Sequence, residues 1–329
     1  REKQVILMDN QASTELFLLE KAKQAAKRQC FPGLLPILAA QQRLPLTTAQ
    51  QSNLLQLDNS SAAAVISGQQ IGLFLGPLYA VYKAVAAISY ARLLTARGAP
   101  CVPIFWLQTE DHDFDEIRQA TFQTRESELC LLELPPRDEQ RVSVQEARVS
   151  TEINELLSRI QAELGHHQHT AWVLGLLEKH YLPGARLSEA FSGFLAEMTA
   201  PHGLLIFNPR DELSRGIGKG VFSWAYEQRQ KIHDRLLDSA ARLASQGIKP
   251  QVALRSDSPL FFFHPQGADG PRVRLSENGD SWSMIGADGS VSDEHLRAAL
   301  VENPGQFSTS ALLRPILQDA LFQRSLKMK

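Results

Sequence analysis

Apolar residues along the chain fall into two rhythms, short unbroken runs and steps of three and four. Their alternation predicts an α/β protein. Ala62-Ala63-Ala64-Val65-Ile66 and Val102-Pro103-Ile104-Phe105-Trp106-Leu107 are unbroken runs of strand length. Between them Leu78, Val81, Tyr82, Val85 and Ile88 step by three and four, which predicts a helix buried along that face. Pro77 suits the first helical position, where a missing N–H leaves no bond unmade, and Gly98-Ala99-Pro100 stops the helix. Strand, helix and strand in this order make a βαβ unit and hence a parallel sheet.

The rest of the chain extends this pattern. Residues 1–59 read as helical, with breaks at Pro32-Gly33 and Pro45. Further helices are predicted near 149–164, 168–180 and 187–200, the last with Leu187, Phe191, Phe194, Leu195 and Met198 as its buried stripe. Gly203 to Asn208 reads as another core strand, and Pro209-Arg210-Asp211 opens a helical stretch to about Ser245. After Gly247 the rhythm shortens. Leu260–His264, Pro271–Leu275 and Ser281–Ile285 are separated by the turn signals Gly267-Ala268-Asp269-Gly270 and Asn278-Gly279, with Asp288-Gly289 after them. This predicts an antiparallel meander inserted into the α/β core. Ser292 caps a following helix that ends by Asn303-Pro304-Gly305, and Ala311 to Leu317 reads as a return to the core. The expected division is a helical segment (1–59), a Rossmann-like parallel core with a helical insertion (60–247), a β-rich insertion (248–305) and a return to the core (306–329).

Composition narrows the function classes. A chain of 329 residues that is 43% hydrophobic has enough apolar material for two domains, or for one domain carrying an insertion. A net charge of −2 argues against nucleic acid or anionic lipid as the main partner, since such binders carry a basic stripe. The three cysteines, Cys30, Cys101 and Cys130, have no CxxC spacing, which excludes a disulfide framework or a Cys-rich zinc site. The most apolar stretch, Gly72 to Tyr90, contains Pro77 and Lys83 and lacks the roughly 20 apolar residues of a membrane span. With no signal-peptide pattern at the start, the expectation is a cytoplasmic protein. The chain begins Arg1-Glu2-Lys3-Gln4 without an initiator Met, so its length fits a fragment.

Two segments carry candidate chemistry, and both follow predicted strands of the βαβ unit, where open α/β sheets bind ligands. The first is Ser67-Gly68-Gln69-Gln70-Ile71-Gly72-Leu73-Phe74-Leu75-Gly76-Pro77-Leu78-Tyr79. A helix beginning at Gly76-Pro77 offers free N–H groups to an anion, and Gly68, Gly72 and Gly76 permit close backbone approach. The loop matches neither GxGxxG nor GxxxxGK[ST], so tight loop packing is the competing reading. Tyr79 and Lys83 share one helical face, either turned toward an anion or simply a solvated lysine beside a half-buried tyrosine. The second segment is Glu110-Asp111-His112-Asp113, with Asp115 and Glu116 after it. Carboxylates this close raise at least one carboxyl pKa and hold His112 protonated to higher pH. That suits acid/base work, an ammonium ligand, or Mg²⁺ on one or two carboxylates. Capping of the next helix accounts for Asp115 and Glu116. His166-His167-x-His169 reads as a solvated surface cluster, and Cys101 and Cys130 as core residues.

Together these motifs support a family resemblance. Ser67-Gly68-Gln69-Gln70-x-Gly72-x-x-x-Gly76-Pro77-Leu78-Tyr79, then Pro103-Ile104-Phe105-Trp106, then Glu110-Asp111-His112-Asp113-Phe114-Asp115-Glu116-Ile117 closely resembles the cysteine-adding enzymes of bacillithiol biosynthesis in order and spacing. The likeness is densest over 62–117 and clear again at Phe307-Ser308 and Leu313-Arg314-Pro315-x-x-Gln318-Asp319.

The resemblance implies a Rossmann-like core with connecting-peptide insertions, similar to class I aminoacyl-tRNA synthetases and nucleotidylyltransferases. It implies an amide-forming ligase that joins cysteine to glucosaminyl-malate in the last biosynthetic step, through an adenylate made from ATP or another adenine nucleotide. Gly68 to Tyr79 would stand where class I ligases carry HxGH. On that analogy Gly76, Pro77 and Tyr79 line a nucleotide pocket, with Gly68, Gln69, Gln70 and Gly72 in the same loop and Lys83 suited to the phosphate charge. Glu110, Asp111, His112 and Asp113 would bind the substrate ammonium and take a proton from the attacking amine.

The class I ligases that handle cysteine hold its thiol on zinc, and no comparable Cys/His set is present here. The chain departs from the family pattern at its end. Members continue past Arg-Pro-x-x-Gln-Asp into a further strand, a Gly-Gly-Pro-Gly-Glu-like loop and a dimerising C-terminal coiled coil. Here Leu321-Phe322 leads instead to Gln323–Lys329, which reads as a C-terminal truncation. Two other readings remain open: a remnant that binds a nucleotide or sugar without ligating, and an α/β phosphotransferase with Mg²⁺ on Asp111 and Asp113.

Overall fold

The computed structural model describes residues 11–28, 30–59, 62–137, 141–165, 168–249, 252, 254–322 and 325–327. Helices α1 (Gln11–Ala25), α2 (Leu34–Ala40) and α3 (Thr48–Asp58) precede β1 (Ala63–Gln70), α4 (Tyr79–Ala96) and β2 (Cys101–Gln108). The short α5 (Phe114–Ile117) and the hairpin β3 (Gln119–Gln123) and β4 (Leu129–Glu133) follow. Next come α6 (Ile153–Glu163), α7 (Thr170–His180), α8 (Leu187–Thr199) and β5 (Leu205–Phe207). The last third comprises α9 (Lys219–Glu227), α10 (Arg229–Ser245), β6 (Phe261–Phe263), β7 (Val273–Asn278), β8 (Ser281–Ile285), β9 (Ser290–Ser292), α11 (Asp293–Glu302), β10 (Phe307–Thr309), α12 (Arg314–Phe322) and β11 (Ser325–Lys327). His166, His167 and both chain ends (Arg1–Gln4, Met328 and Lys329) lie outside the described residues.

The chain forms two compact units, residues 22–214 with 324–329 and residues 1–21 with 215–323. The first, the core unit, holds a parallel sheet in the order β11-β1-β2-β5. Strands β1 and β2 pair along their whole length, from Ala63 opposite Cys101 to Gln70 opposite Gln108. β2 is buried up to its last residue and β1 over Ala63 to Ser67, as unbroken apolar runs in a parallel sheet require. The βαβ unit is therefore present where periodicity placed it.

The buried face of its helix differs from the expectation. α4 buries Ala80, Ala84, Ala87, Ile88, Ala91 and Leu94, whereas Leu78 and Tyr82 are 65% exposed and Val85 46%. A stripe of alanines lets a helix backbone lie close to a sheet, so the small side chains face β1 and β2. Of the predicted stripe only Ile88 is fully buried, with Val81 partly so. The helix also starts at Tyr79, leaving Pro77 two residues ahead of it.

Strand β5 ends one side of this sheet, and glutamine side chains occupy its free edge. Gln42 donates to the Ile206 carbonyl (2.9 Å) and accepts from its N–H (3.1 Å). Gln41 does the same for Asn208, at 2.9 Å in both directions. Gln50 donates to the Leu204 carbonyl (2.8 Å). Residues 204, 206 and 208 point their backbone groups the same way along a strand, and α2 and α3 supply the partners that a further strand would otherwise give.

The β-rich unit contains an antiparallel sheet in the order β10-β6-β7-β8-β9. Phe222, Tyr226, Phe261, Phe263, Leu275, Trp282 and Phe307 lead its core. The meander falls where turn chemistry put it, with Gly279 at φ 60° in the β7–β8 turn. The unit boundaries differ from the expected division. α9 and α10 belong with this unit, so the change comes after Ser214 rather than after Gly247. The segment read as a return to the core also stays here: β10 pairs with β6, and α12 buries Leu317, Leu321 and Phe322. Only β11 rejoins the parallel sheet, beside β1.

Candidate functional site

The ends of β1, β2 and β5 lie side by side because the strands are parallel and in register. After β1 the chain makes a tight loop. Phe74 and Leu75 both take left-handed backbone (φ 52° and 69°), followed by Gly76 at 60°. Such conformations cost of order 1–3 kcal/mol in non-glycine residues and persist only when neighbours hold them. Tyr181 is the holder. Its hydroxyl accepts the Leu75 N–H at 3.0 Å, and its ring meets Phe74 edge-on at 4.9 Å. Burial pushes that hydroxyl well above the ordinary tyrosine range.

Two of the three loop glycines serve packing. A Cβ on Gly68 would lie 2.4 Å from the Trp106 carbonyl oxygen of the neighbouring strand, and one on Gly72 3.0 Å from Gly76 Cα. Gly76 is needed for its positive φ instead, since a Cβ there would meet only Gly72 Cα at 3.6 Å. Side chains do converge beside them. Lys83 Nζ donates to Gln69 Oε1 (2.8 Å), Gln69 Nε2 donates to the Tyr79 hydroxyl (3.3 Å), and Lys83 Nζ stands 5.4 Å from the Tyr79 ring centroid. The first turn of α4 has no side-chain cap, and its Ala80 N–H donates to the Pro77 carbonyl (2.9 Å). Flanking the loop is an apolar cavity of about 460 Å³, lined by Phe74, Leu78, Val81, Phe122, Leu177 and Phe194 among others, and it gathers none of the acidic residues.

After β2 the acidic residues separate into different environments. Glu110 is 2% exposed. Asp111 Oδ1 accepts the His112 backbone N–H (2.7 Å) and lies 3.3 Å from His112 Nδ1. Asp113 caps α5 by accepting the Glu116 N–H (3.1 Å), and Asp115 pairs with Arg118 (2.8 Å). The capping residue is thus Asp113, where Asp115 and Glu116 were expected. Burial, then the charges of Asp113 and Asp111, pushes the Glu116 carboxyl above its ordinary value. Among the described residues no group of three or more His, Cys, Asp or Glu side chains is placed to hold a metal ion. Cys101 and Cys130 are buried and Cys30 partly so.

A third part of this edge was not singled out from the sequence. Thr109 Oγ1 donates to Asn208 Oδ1 (2.6 Å), and Asn208 Nδ2 donates to Gln145 Oε1 (2.8 Å). Ser143 donates to the Thr109 carbonyl, and the Arg210 N–H to Asn208 Oδ1 (3.1 Å). Arg210 is 4% exposed. Gln145 Nε2 is buried and has no hydrogen-bond partner among the described residues. Asn208-Pro209-Arg210-Asp211 follows β5 as Glu110 to Asp113 follows β2, so the rule that drew attention to one applies equally to the other.

A family model described as bacillithiol biosynthesis BshC, N-terminal Rossmann-like domain, matches residues 9–325. The chain belongs to this family. Curated relatives named "Putative cysteine ligase BshC" include one from Koribacter versatilis, 32% identical over 260 residues, covering 79% of this chain and 47% of the relative. The relative from Heliobacterium modesticaldum is 29% identical over 273 residues (81% and 49%), and that from Salinibacter ruber 28% over 301 residues (91% and 54%). The chain spans about half the length of the curated relatives it matches. Among the described residues no helix is long and apolar enough to cross a membrane.

Proposed function

We propose that this chain supplies the Rossmann-like half of a cytoplasmic cysteine ligase that forms the amide bond between cysteine and glucosaminyl-malate in bacillithiol biosynthesis. One observation carries the reading: the motifs after β1 and β2 end adjacent strands of one parallel sheet, Gln70 opposite Gln108, in a chain of this family.

ATP, when bound, would convert the cysteine carboxylate oxygen into part of a leaving group. The residues present fit a nucleotide in two respects: α4 begins without a side-chain cap, and Lys83 beside Tyr79 offers a positive charge. Any Mg²⁺ would be shared between phosphates and one or two carboxylates, with Asp111 and Asp113 as the candidates. The buried amide of Gln145 offers a donor to a substrate oxygen. Asp111 and His112 are exposed enough to meet a substrate ammonium and to take the proton that the attacking amine loses as its nitrogen bonds to the acyl carbon. Glu110, buried next to them in sequence, completes the proposed acidic set.

The test is mass spectrometry for bacillithiol in cells that make glucosaminyl-malate and carry the intact gene as their sole cysteine ligase. The thiol is expected. A soluble protein without the thiol would refute the reading.

A further inference from the structure

The antiparallel sheet of the β-rich unit has two unlike faces. Phe261, Phe263, Val273, Leu275 and Phe307 alternate onto one and build the apolar core. The intervening Phe262, Arg274 and Ser308 fall on the other, with Phe262 directly opposite both Arg274 and Ser308. Arg272, two residues before Arg274, places its guanidinium 4.3 Å from the Phe262 ring centroid. A cavity of about 240 Å³ opens here, lined by Arg255, Ser258, Phe262, Arg274, Ser310 and Leu312 among others.

Arg274 sets this cavity apart. Its Nη1 is buried and has no hydrogen-bond partner among the described residues. A buried charged donor without an acceptor is costly, and it persists where something supplies one. Asp257 stands near but does not. Its carboxylate accepts the Ser276 hydroxyl at 2.6 Å, which, helped by the charges of Arg274 and Arg255, holds that carboxyl below the ordinary value. Arg274 Nη1 is still left without a hydrogen-bond partner among the described residues. Two guanidinium groups therefore line a small chamber whose remaining walls are mostly apolar.

We infer that this cavity binds a compact organic oxyanion, a carboxylate or phosphate carried on an apolar body, with Arg274 and Arg255 on the charge and Phe262 and Leu312 against the body. The planar fork of arginine matches the paired oxygens of either group. A free inorganic ion would meet the arginines but leave the apolar walls unused. The volume lies below the roughly 300–1,000 Å³ of drug-sized sites, which limits the ligand to a single small ring or its equivalent.

Titration calorimetry on the intact protein with phenyl phosphate, benzoate and inorganic phosphate tests this. At least one organic anion is expected to bind ten or more times more tightly than inorganic phosphate, and the better one identifies the charged group. Arg274→Gln should weaken that binding at least tenfold, and Arg255→Gln by a smaller factor. Arg255 is exposed, so its variant keeps the test valid even if Arg274→Gln melts early. No binding of either organic anion at millimolar concentration, binding unchanged in both variants, or equal binding of inorganic phosphate would overturn the inference.

Discussion

Replacing Gln41 with Leu tests how the β5 edge is held. The change keeps the side-chain volume roughly constant and removes both hydrogen bonds to Asn208, each 2.9 Å and buried. The two backbone groups do not lose equally. The Asn208 carbonyl also accepts the Ser214 hydroxyl at 2.7 Å and keeps one partner. The N–H keeps none that the structure shows. Orphaning a buried donor costs about 1–3 kcal/mol, and losing one of two bonds to a carbonyl about 0.5–1.5 kcal/mol. The expected loss is therefore roughly 2–4 kcal/mol. At a urea slope of about 2 kcal/mol/M this moves the midpoint of the core unit down by about 1–2 M. Because the chain holds two compact units, the readout should be local: amide hydrogen exchange of a peptide covering 204–210, followed through the urea series. Protection at Asn208 should fall along with the midpoint. A loss under 0.5 kcal/mol with Asn208 still protected would show that the glutamine clamp does not hold this edge.

Three other expectations follow from single sites. Gly68→Ala puts a Cβ 2.4 Å from the Trp106 carbonyl, so β1 and β2 must separate; a loss of 3 kcal/mol or more, at or above the upper end of ordinary overpacking, is expected in thermal melts. In the β-rich unit, hydrogen bonds from Tyr226, then Trp282 and Arg297, hold the Asp293 carboxyl at about 2 against an ordinary 3.8. A depressed carboxyl contributes stability above the unfolded value, so that contribution should be complete above about pH 4 and vanish as pH falls toward 2. Asp293→Asn should flatten the acid limb of the unfolding curve over that window, and an unchanged limb would contradict the assignment. Burial pushes the Cys101 thiol up to about 12. At pH 8 a thiol reagent should therefore leave Cys101 unmodified in the native protein and label the partly exposed Cys30 first, as peptide mapping would show.

The parts of this architecture that were legible in the sequence rest on local pattern. Unbroken apolar runs marked β1 and β2, turn residues marked the β6–β9 meander, and polar residues after a core strand marked Glu110 to Asp113. What escaped depends on long-range partners. Apolar periodicity points to the wrong face of α4 because it identifies the larger residues, whereas a helix lying close on a sheet buries its alanines. Nothing local in α9 and α10 shows which unit they join, so the sequence alone places the boundary too late. Gln41 and Gln42 look like ordinary polar residues at a helix end, and nothing nearby in sequence shows that their partners are Asn208 and Ile206. The loop glycines raised two readings, and only the distance to Trp106 across the sheet shows what Gly68 packs against.

Placing cysteine ligation at the ends of β1, β2 and β5 is the central claim, and one assay reaches it directly. The intact protein is mixed with cysteine, glucosaminyl-malate and ATP, and amide product is followed by mass spectrometry for the wild type and for Asp111→Asn and His112→Ala. Removing a positioned acid/base group typically costs 10²–10⁴-fold in rate. The account predicts product from the wild type and at least a hundredfold slower formation in one or both variants, with their melting curves unchanged. Wild-type rates in both variants would contradict it.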